Sequence, residues 1–144
     1  MNEDYVSYEL ALKLKECGFD EPCDSYYDKA CASDDEYWYT KREEAYNWNG
    51  LDSDCQISAP SLYAAQKWLR EKKGIAINVI AHDISDKYRE GEYHWEEVYL
   101  PNFSEEGHQW HDWFIYGKHP LFDTYEEALS DGLNQMLRLI EKGE

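Results

Sequence analysis

The fold class is decided by residues 58–80, SAPSLYAAQKWLREKKGIAINVI, which predict a helix followed directly by a strand. Ser58 offers an N-cap, and Pro60 lies in the first turn, where its missing N–H costs nothing. Apolar residues recur at helical spacing, basic residues crowd the last turn, and Gly74 ends the helix. From Ile75 onward the apolar positions alternate, which is typical of a strand.

Downstream of this stretch the sequence predicts two further strands and a helix. Residues 83–91 are polar and predict a hairpin connection, 93–100 form the returning strand, and 110–116 form a third strand. The short connections favour antiparallel pairing. A capping box at Thr124 then begins a last helix, whose wide apolar stripe is expected to cover one side of the sheet.

Upstream, a short helix is predicted from about residue 8 to residue 17. Ser7 can cap its first turn. Gly18 supplies a left-handed position after the helix, and Phe19 follows where a Schellman motif packs back on Leu14.

Between these helices, residues 20–57 show no strong periodicity and predict an irregular, insertion-like segment held by its aromatic residues. Within it, 36–40 are expected to form a short strand and 41–46 a helical turn. The whole chain, 1–144, is predicted to be a single α+β domain. We expect a three-stranded antiparallel sheet packed by about three helices, with an irregular aromatic-rich N-terminal segment.

The charge of the chain excludes some classes of partner. It carries 31 acidic and 14 basic residues, a net charge of -17. Such a surface repels nucleic acids and anionic membranes and attracts basic proteins. No apolar stretch reaches 18 residues, and the N-terminus lacks the pattern of a secretory signal. A cytoplasmic location is therefore expected, with all four cysteines as reduced thiols.

Neither the cysteines nor the histidines predict a metal site. The cysteines lack the tight Cys-x-x-Cys pairs of zinc sites. His108, His111 and His119 are clustered, but neighbours on a strand point to opposite faces, so His111 and Asp112 diverge. We therefore predict no metal, no cofactor and no catalytic residue. The alternative, a small metal-dependent hydrolase, would use this histidine region, to which His82 and His94 could add ligands.

The best candidate function is protein binding through acidic and aromatic side chains. Tyrosine and tryptophan are favoured at binding hot spots, and acidic groups steer basic partners. The chain has 13 Tyr and six Trp. The predicted contact residues are Asp34, Asp35, Glu36, Tyr37, Trp38, Tyr39, Tyr46 and Trp48. A sharper alternative is a DNA mimic that inhibits a host DNA-binding enzyme, with carboxylates in place of phosphates.

Several short stretches also resemble a known group of sequences. The chain is similar to small hypothetical proteins encoded in phages and integrated elements of gut anaerobic bacteria, in residues 5–11, 17–22, 58–62, 67–71 and 124–129. The resemblance implies no activity and no catalytic residues. It implies a phage-derived accessory protein in a bacterial host cell that binds a host or phage factor.

Overall fold

The structure, a computed structural model, describes residues 4–29, 36–51, 55–81, 93–99 and 121–141. These residues form three α-helices and five β-strands, which confirms the predicted α+β class. In chain order they are α1 (Tyr8–Glu16), β1 (Cys23–Lys29), β2 (Tyr37–Tyr46), β3 (Gln56–Ser58), α2 (Leu62–Lys73), β4 (Ile75–Ala81), β5 (Tyr93–Tyr99) and α3 (Tyr125–Glu141).

The chain divides into two compact units. The first unit comprises Met1–Ala65 with Leu137–Glu144, and the second comprises Gln66–Met136.

The first unit is built on a three-stranded antiparallel sheet in the order β2-β1-β3. This sheet lies in the segment predicted to be irregular, so that prediction is wrong for 23–29 and 56–58, whereas the short strand predicted at 36–40 is present as the beginning of β2. The helical turn predicted for 41–46 is also wrong, since those residues continue β2. The predicted count of three antiparallel strands is correct, but these are not the strands that the sequence indicated.

Helix α1 has the two end signals that were predicted for it. The Ser7 Oγ accepts a hydrogen bond from the Leu10 N–H at 3.2 Å. Gly18 has a φ of +94°. The Phe19 N–H bonds to the Leu14 carbonyl at 2.9 Å and the Gly18 N–H bonds to the Lys15 carbonyl at 3.1 Å. These two bonds constitute the predicted Schellman motif.

Replacing Gly18 by alanine is expected to lower the free energy of unfolding by about 1–2 kcal/mol. An added Cβ would meet no atom within 4 Å, so the whole cost comes from the left-handed backbone. Urea denaturation measures the change. A loss below a few tenths of a kcal/mol would show that this residue does not hold the left-handed conformation.

The second unit contains the antiparallel pair β4 and β5, as predicted, in a register from Ile75 opposite Tyr99 to Ala81 opposite Tyr93. Tyr93 also forms a bridge with Phe122, just before α3. The capping box is partly confirmed, because Thr124 Oγ1 accepts from the Glu127 N–H at 3.1 Å. The predicted hairpin connection and the third strand at 110–116 lie outside the described residues.

Each unit has its own buried core. The first unit buries Val6, Leu10, Leu14, Phe19, Tyr26, Tyr27 and Ile57, and the second buries Leu69, Ile77, Trp95, Leu129, Leu133 and Met136.

The N-cap of helix α2 lies three residues later than predicted. Ser61 Oγ accepts from the Ala64 N–H at 3.0 Å, so Ser61 caps the helix and Ser58 does not. Ser58 instead ends β3, where it is fully buried. Gly74 has a φ of +70° and ends the helix, as predicted.

Of the cysteines that the structure describes, one departs from expectation. Cys55 is disulfide-bonded, so the prediction of four reduced thiols is wrong there. Cys17 and Cys23 form no disulfide bond. Cys31 lies outside the described residues.

None of the helices that the structure describes is long and apolar enough to cross a membrane.

Candidate functional site

Among the described residues, most of the large hydrophobic side chains that are exposed to solvent lie on strand β2. Four such side chains are exposed there, and three of them lie on β2: Trp38 is 58% exposed, Tyr46 51% and Tyr37 43%. The fourth, Tyr63 at 45%, lies on α2. An aromatic residue exposed to this extent is more typical of a contact surface than of a core.

β2 is also an edge strand of the sheet that the described residues form. It pairs with β1 on one side, and no described strand pairs with its other side. On β1, the Lys29 N–H bonds to the Cys55 carbonyl and the Ser25 carbonyl accepts from Ala59, so odd-numbered residues of β1 direct their backbone groups toward β3. The even-numbered residues of β1 therefore direct their backbone N–H and C=O groups toward β2.

The register then fixes which backbone groups of β2 point outward. Trp38 lies opposite Asp28 and Thr40 lies opposite Tyr26, so Trp38 and Thr40 use their N–H and C=O groups toward β1. The alternate residues Tyr37, Tyr39 and Lys41 direct theirs away from the sheet. We call Tyr37–Lys41 the open edge.

The side chains of the predicted contact residues divide between the two faces of this sheet. Tyr37 stacks on Tyr8 of α1, with ring centroids 4.0 Å apart and planes at 2°. Tyr39 is half-buried on the same face, and its hydroxyl donates to Ser25 Oγ at 2.8 Å. Trp38 lies on the opposite face, because neighbouring strand residues alternate. Glu36 is exposed, and Asp34 and Asp35 lie outside the described residues.

Beyond Lys41, strand β2 bulges away from β1. Lys41 is opposite Ser25, but the next paired residue, Tyr46, is opposite Cys23. Residues 42–45 therefore oppose a single residue of β1, and such an irregularity re-aims the side chains it carries. A groove of about 660 Å³ lies at this bulge. We call it the bulge groove. It is lined by Arg42, Glu43, Glu44, Ala45, Tyr46, Trp48 and Leu51.

The aromatic part of the bulge groove is held in place by hydrogen bonds. Trp48 Nε1 donates to the Cys23 carbonyl at 2.8 Å. The next residue, Asn49, accepts from the Ser58 N–H at 2.9 Å and donates its own N–H to Ser58 Oγ at 3.1 Å. The Tyr46 ring packs against Trp48 with centroids 5.2 Å apart. The structure thus brings together two of the predicted residues, Tyr46 and Trp48.

The one basic side chain that lines the groove is engaged by Tyr26. Arg42 Nη2 donates to the Tyr26 hydroxyl at 3.1 Å, and the guanidinium lies 5.9 Å from the centroid of the Tyr26 ring. Tyr26 is buried beneath Trp48, with centroids 4.3 Å apart. Glu43 and Glu44 are exposed, and neither makes an ion pair with any described residue.

Cys23, whose carbonyl accepts the hydrogen bond from Trp48, carries a thiol whose reactivity is suppressed by burial. Burial, with a further contribution from the charge of Asp24, raises the pKa of Cys23 from 9.0 to about 12. The thiolate is the nucleophilic form, so Cys23 is suited to packing and not to catalysis. Because the folded state holds this proton more tightly, the associated stability is present below pH 9 and is lost as the pH rises toward 12.

Alkylation of Cys23 in the folded protein is therefore expected to be slow at pH 8 and to rise about tenfold for each pH unit up to about pH 11. Mass spectrometry after iodoacetamide treatment measures the rate. The urea-unfolded protein is the control, in which Cys23 reacts like an ordinary thiol. Fast alkylation of the folded protein at pH 8 would contradict the burial of this side chain.

The histidine region gives no metal site within the described residues, which contain no group of three or more His, Cys, Asp or Glu side chains able to hold an ion. His94 is buried, and its Nε2 lies 3.2 Å from Glu96 Oε1. His82, His108, His111, His119 and Asp112 lie outside the described residues, so the prediction about that cluster stays a prediction.

Sequence reasoning missed the acidic part of the groove. The sequence predicts a helical turn at 41–46, which includes Glu43 and Glu44, and Lys-Arg-Glu-Glu-Ala is indeed a run of good helix formers. Arg42 was not singled out either. The strand in which they lie depends on pairing with β1, and no local signal in the sequence indicates that pairing.

The comparisons with known proteins found nothing similar: no protein-family model, no curated protein and no solved structure matches this chain.

Proposed function

We propose that this chain is a non-enzymatic accessory protein that binds another protein along β2. The observation that carries the proposal is the concentration of exposed aromatic side chains on this one strand, led by Trp38 at 58% exposure. Tryptophan and tyrosine are the residues whose burial most often dominates binding energy. An exposed tryptophan on an open strand edge therefore favours a contact surface.

The open edge suggests how the partner would bind. The backbone groups of Tyr37, Tyr39 and Lys41 point away from β1, and an extended segment can pair with such groups by strand addition. Natural proteins usually protect long edges with charges or bulges. Here the bulge begins only after Lys41, so a five-residue portion stays regular.

Charge supports a basic partner. The net charge of the chain, -17, attracts cationic proteins and repels phosphate polymers. β2 itself has as many basic as acidic residues, two of each. The preference therefore comes from the charge of the whole chain, which speeds the encounter with a basic protein, while the aromatic side chains supply contact area.

Site-specific photo-crosslinking tests the proposal. A benzophenone amino acid replaces Trp38 in one variant and Tyr63 in another, since both native side chains are exposed to a similar extent. The proposal predicts one crosslinked protein through position 38 that is absent from position 63. Purified, that protein should bind the native chain, and Trp38→Ser should weaken its affinity about tenfold or more. Equal crosslinking at both positions would contradict a site on β2.

The two alternative functions stay predictions from the sequence. A DNA mimic would compete with duplex DNA for a DNA-binding enzyme, and a metal-dependent hydrolase would retain metal through purification. No observation of the described residues favours either over protein binding. The phage origin implied by the resemblance is likewise a proposal.

The location in the cell is a proposal as well. A bacterial cytoplasm is expected from the sequence, but reducing conditions there would keep Cys55 as a thiol, whereas the structure has it disulfide-bonded. Acid quenching of cells followed by thiol alkylation distinguishes the thiol from the disulfide form of Cys55. Reduced Cys55 in cells fits the cytoplasm, and oxidised Cys55 indicates an oxidising compartment.

A further inference from the structure

We propose that the bulge groove binds the cationic side chain of a lysine or arginine in the partner protein. This inference rests on the proposed function, since it specifies what the partner would place beside β2. It is argued from the two kinds of side chain that line the groove.

The first kind is a pair of carboxylates that no described cation neutralises. Glu43 and Glu44 are both exposed and line the groove. The basic residue beside them, Arg42, directs its guanidinium to the hydroxyl and ring of Tyr26. Arg42 keeps its positive charge, but the two carboxylates outnumber it, so the lining of the groove is net negative and complements a cation.

The second kind is a pair of aromatic rings. Tyr46 is 51% exposed and Trp48 is half-buried, with their ring centroids 5.2 Å apart. The face of an aromatic ring carries partial negative charge and attracts ammonium and guanidinium groups, tryptophan most strongly. Because Trp48 is fixed through Nε1 to the Cys23 carbonyl, its ring needs no ordering when a ligand binds.

The groove is also large enough for such a side chain. Its volume of about 660 Å³ is within the range of small-molecule sites, and Ala45 and Leu51 add apolar surface for the methylene stem. The two carboxylates would repel an anionic group. A neutral apolar side chain would leave both carboxylates partly desolvated without a partner, which is unfavourable.

The test uses capped amino acids and two-dimensional NMR of the full ¹⁵N-labelled chain. The cationic probes are Nα-acetyl-arginine methylamide and Nα-acetyl-lysine methylamide. Their neutral controls, of similar shape, are the corresponding citrulline and norleucine derivatives. The reporter is the Trp48 indole Nε1–H resonance, identified by its loss in Trp48→Phe.

We expect a saturable shift of this resonance with both cations and none with the neutral controls. The double variant Glu43→Gln, Glu44→Gln should weaken cation binding by about three- to tenfold. Asp20→Asn, which removes an exposed carboxylate outside both the groove and the predicted contact residues, should leave it unchanged. An unchanged backbone amide spectrum shows that each variant is folded.

Three results would overturn the inference: no shift up to the solubility limit of the cations, equal shifts with the neutral controls, or an unaltered affinity in the double variant. The proposed function is judged separately, by partner binding to Trp38→Ser. That variant should lose partner affinity while it still binds the free cations, because Trp38 does not line the groove.

Discussion

Replacing Tyr27 by alanine is expected to lower the free energy of unfolding by about 3–5 kcal/mol, the range for a large aromatic side chain removed from a core. Tyr27 is 1% exposed in the middle strand of the first unit. Its ring makes edge-to-face contacts with the rings of Tyr8, Tyr37 and Tyr39 at 5.6, 5.7 and 5.6 Å. Two of these residues belong to the open edge, so the same change should loosen β2.

The variant Tyr27→Phe separates the contribution of the ring to the free energy of unfolding from that of the hydroxyl. The hydroxyl donates to the Val6 carbonyl at 2.8 Å, and its loss alone should cost about 1–2 kcal/mol. Burial raises the pKa of Tyr27, so this phenol stays protonated and able to donate at neutral pH. Urea denaturation of both variants, followed by near-ultraviolet circular dichroism, measures the two losses. A cost below about 1 kcal/mol for Tyr27→Ala would contradict a tyrosine-based core.

Replacing Trp95 by alanine is expected to destabilise the second unit by a similar amount, about 3–5 kcal/mol. Trp95 is 2% exposed, and its Nε1 donates to Asp131 Oδ2 at 2.9 Å. The ring lies against the backbone of α3 at Gly132, where an added Cβ would come within 3.0 Å of Trp95 Cδ2. The alanine variant therefore leaves a large cavity and an unpaired carboxylate oxygen.

Trp95→Phe is the matched control for this change. It keeps an aromatic ring but removes the hydrogen bond to Asp131, so an intermediate loss of about 1–2 kcal/mol is expected. Hydrogen exchange of the β4 and β5 amides should report both losses, because these strands pair with each other along their whole length. Unaltered exchange in Trp95→Ala would show that this ring does not support the pair.

The elements that could be predicted from the sequence are those with local signals. Helix α1 has a side-chain cap at Ser7 and a left-handed glycine at Gly18, and both are read from single residues. Helix α3 has its cap at Thr124, and the alternation after Gly74 indicated β4. Each of these signals acts within a few residues of the chain.

The sheet of the first unit was missed because its strands lack such signals. β1 is Cys-Asp-Ser-Tyr-Tyr-Asp-Lys, in which the fully buried Ser25 interrupts the apolar alternation. β2 ends in a run of helix formers that pairing with β1 holds extended. Tertiary contacts override local propensity in such cases. The sequence therefore predicts the aromatic residues of the candidate site and a short strand at 36–40, but not the pairing of that strand with β1 or its extension to Tyr46.

Backbone hydrogen exchange at the open edge tests the binding surface most directly. It is measured on the free chain and on its complex with the protein that crosslinks through position 38. Strand addition predicts that the outward amides of Tyr37, Tyr39 and Lys41 become strongly protected in the complex, while the amides of α2 around Tyr63 keep their exchange rates. Protection at α2 with no change along Tyr37–Lys41 would contradict the assignment of β2 as the binding strand.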